Sequence, residues 1–202
     1  MLTLYGAKGS GAAAVEAALL IAEVRFQWVE AASWEPGPGL EALKRVNPLA
    51  QIPTLVLEDG AVMTESAAIL IWLGLRHPAS GLLPADYEQA IRGLTFIAAN
   101  CYAAIGVIDY PERFCSDCDK ATGERMRTGT KARLHEYWSM FAGNFPFLKN
   151  GHVGALELLA AVVSRWSGAR AHLKANRPVF HGQLERIEED PRIAAVFKRH
   201  WP

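Results

Sequence analysis

Along the first 77 residues, short apolar segments switch between a period of two residues and a period of about 3.6. This pattern predicts two strands and three helices, at residues 2–5, 25–31, 11–24, 39–46 and 66–76. Two further apolar runs within 54–64 are joined by Asp59-Gly60, which predicts an antiparallel hairpin. The order βαβαββα describes a small mixed sheet with helices packed on it.

Beyond residue 77 the strand pattern ends. A proline-, glycine- and serine-containing segment predicts a linker over 78–85. The rest has helical periodicity, with helices expected at 86–110, 119–145, 155–166, 168–175, 178–189 and 191–200. We therefore predict an α/β domain over 1–77 followed by an all-helical domain over 86–202.

Composition narrows the class of protein. The 202 residues contain 21 basic and 21 acidic side chains, so no basic field favours nucleic acid or a membrane surface. The longest strongly apolar run, 67–75, is shorter than the roughly 20 residues of a membrane span. The N-terminus lacks the charged start and apolar core of a secretory signal. With an odd number of cysteines, three, these features predict a cytoplasmic protein.

The sequence contains little that indicates a metal site or a redox site. Cys115 and Cys118 form a "CSDC" pair, but no second pair or histidine lies at zinc spacing, and the six histidines are scattered. A polar loop is the favoured interpretation of the pair, with redox or metal use as the alternative. We expect no metal.

Ile52-Pro53 begins the first strand of the hairpin, one of the few places in a sheet that accept proline. In the cis form, this bond would turn the N–H and C=O of Ile52 out of the ladder, where a peptide main chain could pair with them. In the trans form, the proline only joins a loop to a strand.

Glu65 and Ser66 stand where the helix 66–76 should begin. Free N–H groups there and the Ser66 hydroxyl favour a bound carboxylate, whereas the Glu65 carboxylate favours an ammonium group. Both together fit the head of an amino acid, and Gln51 could reach a second carboxylate of the ligand. The alternative is ordinary N-capping.

Ser10 precedes the first predicted helix between two glycines. It is either an N-cap or a hydrogen-bond donor to a sulfur anion, since no histidine or acid near it completes a nucleophile pattern. Lowering a thiol pKa by about two units requires roughly 2.7 kcal/mol. A charge-assisted hydrogen bond of roughly 1.5–3 kcal/mol and a helix dipole of roughly 0.3–1 kcal/mol supply that amount.

With these residues in hand, the whole chain resembles the glutathione S-transferases, whose fold is a thioredoxin-like domain followed by a helical one. The most specific stretch is "NPLAQIPTLVLEDGAVMTESAAILIWL" at 47–73. The resemblance implies that Pro53 is cis, that Ile52 pairs with the cysteinyl part of glutathione, and that Glu65 and Ser66 hold the γ-glutamyl head. "LYGAKGSGAA" is similar to bacterial serine- and cysteine-type, beta- or theta-like members, which implies that Ser10 activates the thiol.

The resemblance also implies a homodimer, for which the alanine-rich face of the helix 86–110 is a candidate. Its electrophile site would lie between the domains, with Tyr102, Ile105 and Phe114 as candidates, although core packing explains them equally well. Where the family usually has a Ser/Thr cap and an aspartate, this chain has Gly154 and Glu157.

Two functions follow from this. The first is a glutathione transferase that uses glutathione as co-substrate, binds a small hydrophobic electrophile and serves in detoxification; peroxidase, isomerase or dehalogenase chemistry stays open within it. The second is a non-catalytic glutathione- or ligand-binding module of the same fold. A thiol–disulfide oxidoreductase is disfavoured because residues 1–77 contain no cysteine.

Overall fold

Four short strands form one mixed sheet in the computed structural model, which describes residues 1–148 and 151–202. The strands are β1 (Leu2–Gly6), β2 (Phe26–Glu30), β3 (Thr54–Val56) and β4 (Val62–Met63). Their spatial order is β2-β1-β3-β4, with β1 parallel to β2 and the other neighbours antiparallel. Leu4 and Leu55 face each other at its centre and are fully buried.

Three helices pack on this sheet: α1 (Ala12–Ile21), α2 (Pro38–Val46) and α3 (Ser66–Arg76). Helix α1 is apolar on nearly every side because it contacts both α3 and the helical half of the molecule. The order βαβαββα is as predicted, and α3 has the predicted bounds. The thioredoxin-like N-terminal arrangement is thus confirmed.

The remainder is helical, as predicted. Its longer elements are α4 (Glu88–Phe96), α5 (Ala103–Asp109), α6 (Lys120–Asn144), α7 (Ala155–Val163), α8 (Ala169–Asn176), α9 (Pro178–Glu188) and α10 (Ala194–His200). Single 3-10 turns lie at Pro78–Ser80 and Pro111–Arg113. Helix α7 is buried almost throughout, so the all-apolar segment runs through the centre of this half, as its pattern predicts.

The helix predicted over 86–110 is continuous but not uniform. Between α4 and α5, residues Ile97–Tyr102 form a π-helical segment, which the hydrophobic pattern does not predict. Such wide turns are frequent at functional sites. By length and composition alone, Glu88–Asp109 could cross a membrane. Helices of the same composition also occur in globular cores, and this one packs against α6 and α7.

Gly154, at the start of α7, has a structural reason to be glycine. A Cβ atom there would lie 2.8 Å from the Leu82 carbonyl oxygen, which accepts a hydrogen bond from the Ala155 N–H. Of the two reciprocal hydrogen bonds of a capping box, only the one to the Glu157 side chain is therefore possible. Glu157 Oε2 accepts this bond from the Gly154 N–H at 3.1 Å. The missing cap side chain is explained by this close approach.

Cys115 and Cys118 lie in the loop before α6. Partial burial and the neighbouring Cys115 raise the pKa of the Cys118 thiol, opposite to the shift of a reactive thiolate. Within residues 1–148 and 151–202, no three His, Cys, Asp or Glu side chains converge in a way that could hold a metal ion.

Candidate functional site

A cleft of about 1210 Å³ separates the sheet half from the helical half. All six residues predicted to bind or act on the ligand line this cleft: Ser10, Gln51, Ile52, Pro53, Glu65 and Ser66. They come from three loops, after β1, before β3 and before α3. The fold therefore brings six residues that span 57 positions of the sequence together in one cleft.

The loop before β3 is held by a small buried network. The Asn47 side-chain amide donates to the Gln51 carbonyl oxygen at 3.1 Å and to Thr54 Oγ1 at 2.9 Å. Thr54 Oγ1 donates to the same Gln51 carbonyl at 2.7 Å, and both side chains are buried. Asn47 is therefore the residue that shapes the Gln51–Pro53 rim.

The Ile52–Pro53 peptide bond is cis, as the family resemblance implies. The β1–β3 ladder begins at the Tyr5–Thr54 pair, so Ile52 lies just outside it. Among the described residues, none hydrogen-bonds the Ile52 backbone. Ile52 lines the cleft, so its unpaired N–H and C=O groups are candidates for pairing with an extended ligand.

The start of α3 also opens into the cleft. No side chain caps this helix, and Glu65 adopts the unusual backbone angle φ 62°. A non-glycine residue with positive φ is uncommon and is often found at functional sites. The Glu65 side chain is exposed, whereas Ser66 is 7% exposed. The first N–H groups of α3 are thus available to an anion, with a carboxylate beside them.

Ser10 sits at the beginning of α1 and is already hydrogen-bonded. Its hydroxyl donates to the Ala7 carbonyl oxygen at 2.7 Å and accepts from the Ala12 N–H at 3.2 Å. The side chain therefore closes the turn after β1 and satisfies the Ala12 N–H at the start of α1, where Gly11 holds the N-cap position. Ser10 itself lines the wall of the cleft.

The same turn is tied to the C-terminal helix. The Gly9 N–H donates to Nδ1 of His200 at 3.1 Å, so the imidazole proton is assigned to Nε2, which donates to Glu16 Oε2 at 2.9 Å. Arg199 forms an ion pair with the same buried carboxylate. In the sequence, His200 is one of six scattered histidines. No local signal predicts a contact between residues 184 positions apart.

The opposite wall comes from the helical half. Tyr102, Ile105 and Phe114 all line the cleft, together with Trp34 from the sheet half and Trp166. Ile105 is nearly buried, whereas Phe114 is 59% exposed. Aromatic and aliphatic surface therefore faces the polar rims across the cleft, as a site for a peptide-like ligand and an apolar second molecule requires.

Residues 12–76 match the family model described as the glutathione S-transferase N-terminal domain. The chain is also 37% identical over 203 residues to an uncharacterised GST-like protein, YncG, of Escherichia coli K12, a match that covers 99% of this chain and 98% of that protein. The chain belongs to the glutathione S-transferase family.

Solved structures share the fold at lower identity. A glutathione transferase homologue from Sulfitobacter, crystallised with glutathione, has a TM-score of 0.82 at 20% identity and covers 98% of this chain and 97% of its own. The glutathione S-transferase from Xylella fastidiosa has a TM-score of 0.80 at 19% identity, covering 99% and 98%. Both extend the likeness over the sheet half and the helical half.

Proposed function

We propose that this protein is a glutathione transferase that binds glutathione in the cleft and directs its thiolate at a small hydrophobic electrophile. The observation that carries the proposal is the convergence of all six predicted residues on one cleft beside the uncapped start of α3. Family membership and the glutathione bound to the Sulfitobacter homologue support it.

In this proposal, each rim of the cleft holds one part of the tripeptide. The γ-glutamyl carboxylate lies at the N–H groups of α3 and the Ser66 hydroxyl, and its ammonium group pairs with Glu65. The cysteinyl main chain pairs with the Ile52 backbone beside Pro53, and Gln51 reaches the glycyl carboxylate. This direction places the sulfur at the start of α1, next to Ser10.

The chemical step needs the sulfur as an anion. The thiol proton leaves to solvent, and the sulfur lone pair then forms the bond to the electrophilic carbon while the leaving group departs. Ser10 contributes when its hydroxyl hydrogen swings from the Ala7 carbonyl to the sulfur, with its oxygen still accepting from the Ala12 N–H. The dipole of α1 adds to this stabilisation.

A non-catalytic glutathione-binding module is the second candidate. One observation favours it: the Ser10 hydroxyl is already engaged with the Ala7 carbonyl at 2.7 Å and must give up that bond to reach a sulfur. A module of this kind would bind glutathione through the rims and turn over nothing.

Ser10→Ala separates the two candidates. For the transferase, we expect the variant to raise the pKa of bound glutathione by about one unit and to slow conjugation of a generic aryl halide about tenfold, because a charge-assisted hydrogen bond is lost. Thiolate absorbance measures the pKa, turnover measures the conjugation rate, and calorimetric titration with glutathione measures the affinity. Unchanged pKa and turnover would remove Ser10 from catalysis, and binding without any turnover in the wild type would favour the module.

We further propose a cytoplasmic homodimer built from a glutathione-binding domain over 1–77, a linker over 78–85 and a helical domain over 86–202. The alanine-bearing face of the helix Glu88–Asp109 supports part of this, since small side chains allow another helix to approach closely. A species of about 22 kDa on gel filtration would contradict the dimer.

A further inference from the structure

Tyr102 ends the π-helical segment and reaches across the cleft to the opposite half. Its ring packs edge-on against Trp166, with 5.6 Å between ring centroids and 64° between the planes. Its hydroxyl lies directly over Gly11, where a methyl group on the glycine would overlap the hydroxyl oxygen. The same methyl position is 3.5 Å from Cδ of Pro53. The hydroxyl thus stands where the start of α1 and the cis-proline rim meet.

Within residues 1–148 and 151–202, no residue forms a hydrogen bond with the Tyr102 hydroxyl, and the side chain is half-buried in the wall of the cleft. Burial, with smaller contributions from Glu65 and Asp109, raises the pKa of Tyr102 to about 12. The group therefore keeps its proton at any physiological pH and can only act as a neutral donor or acceptor.

Ser10 and Tyr102 differ in the hydrogen bond that each hydroxyl must break before it can donate to a ligand. The Ser10 hydroxyl must leave the Ala7 carbonyl before it can donate elsewhere. The Tyr102 hydroxyl has no protein partner to leave among the described residues. An anion at this point therefore gains a hydrogen bond from Tyr102 in exchange for one to water, without breaking a hydrogen bond between the described residues.

We propose that Tyr102, supplied by the helical half, is a catalytic residue that donates a second hydrogen bond to the glutathione sulfur at the start of α1. The inference rests on the proposed function, because it needs glutathione in the orientation given above. The thiol proton still leaves to solvent, and Tyr102 retains its own proton while its hydroxyl points at the sulfur. Gly11 is the residue that leaves room for this approach.

The test is to measure the pKa of the bound thiol by its thiolate absorbance in the complex. We expect Tyr102→Phe to raise this pKa by about one unit, at least as much as Ser10→Ala does. The affinity for S-methylglutathione should change less than about threefold. Tyr87→Phe is the control, since Tyr87 is exposed and does not line the cleft. An unchanged pKa in Tyr102→Phe would overturn the role of Tyr102.

Gly11→Ala provides an independent test. The added methyl group displaces the Tyr102 hydroxyl, so Gly11→Ala alone should raise the thiol pKa as Tyr102→Phe does. In the double variant, Tyr102→Phe removes the obstructing oxygen, so Gly11→Ala should add little to the shift of the thiol pKa. Fully additive shifts would overturn the proposed contact. A wild-type protein that binds neither glutathione nor S-methylglutathione would instead refute the proposed function, and this inference with it.

Discussion

Replacing Glu65 with glutamine should weaken glutathione binding about thirtyfold, a loss of about 2 kcal/mol. The reason is the loss of a charge-assisted contact to the ammonium group of the γ-glutamyl head. The α3 N–H groups and Ser66 still hold the carboxylate, so binding should weaken rather than vanish. Because the Glu65 side chain is exposed and caps no helix, the free energy of unfolding should change little.

Glu23→Gln is the matched control for this variant. Glu23 is also an exposed glutamate with positive φ, at 55°, but it lies beyond α1 and away from the cleft. Calorimetric titration of glutathione into both variants gives the comparison, and urea unfolding shows whether either is destabilised. Equal affinity in Glu65→Gln and the wild type would contradict the placement of the γ-glutamyl head.

Acid should weaken the fold through His200, the second large effect that we expect. Burial, Arg199 and Lys8 lower the pKa of His200 to about 4, and Glu30 opposes them. In the unfolded chain the same imidazole titrates near 6.5. As the pH falls below 6.5, the unfolded state takes up the proton first, so the stability present above 6.5 is lost progressively down to about pH 4.

The size of this loss follows from the two pKa values. The difference between the folded and unfolded pKa values corresponds to about 3 kcal/mol of unfolding free energy, of which about 2 kcal/mol should be lost by pH 5. Protonation of Nδ1 also removes the acceptor for the Gly9 N–H, so the turn that carries Ser10 should loosen in the same pH range.

Urea unfolding between pH 7 and pH 4 measures this effect. His200→Asn should flatten the pH dependence by about 2–3 kcal/mol, because its amide oxygen can accept from Gly9 but does not titrate. His77→Gln serves as the control, since the His77 imidazole is half-buried, packs edge-on against Trp72 and, within the described residues, forms no ion pair with a carboxylate. If the free energy of unfolding of His200→Asn followed the same pH dependence as that of the wild type, the assignment of His200 as buried and neutral would be wrong.

The sheet half could be predicted because its signals are local. The hairpin turn at Asp59-Gly60 forms as expected: Gly60 has φ 86°, and Asp59 Oδ1 accepts from the Ala61 N–H at 3.0 Å. The buried helix α3 begins and ends where its apolar run does. Each of these elements is specified by a few neighbouring residues, so one sequence is enough.

The contacts that complete the site are not local, and this is why they escaped prediction. The Gly9–His200–Glu16 chain joins the first loop, the first helix and the last helix. The π-helical turn that presents Tyr102 has no signature in the pattern of apolar residues. At Ser10, the sequence left an N-cap and a sulfur donor open; in the structure Gly11 holds the N-cap position, and the Ser10 hydroxyl accepts from the Ala12 N–H just beyond it.

A crystal structure of the complex with glutathione would show directly where each part of the tripeptide lies. We expect the γ-glutamyl head at the start of α3, a main-chain pair with Ile52, and the sulfur within about 3.5 Å of the Tyr102 hydroxyl. Glutathione bound in the reverse direction or outside the cleft, with the sulfur far from the start of α1, would contradict this expectation.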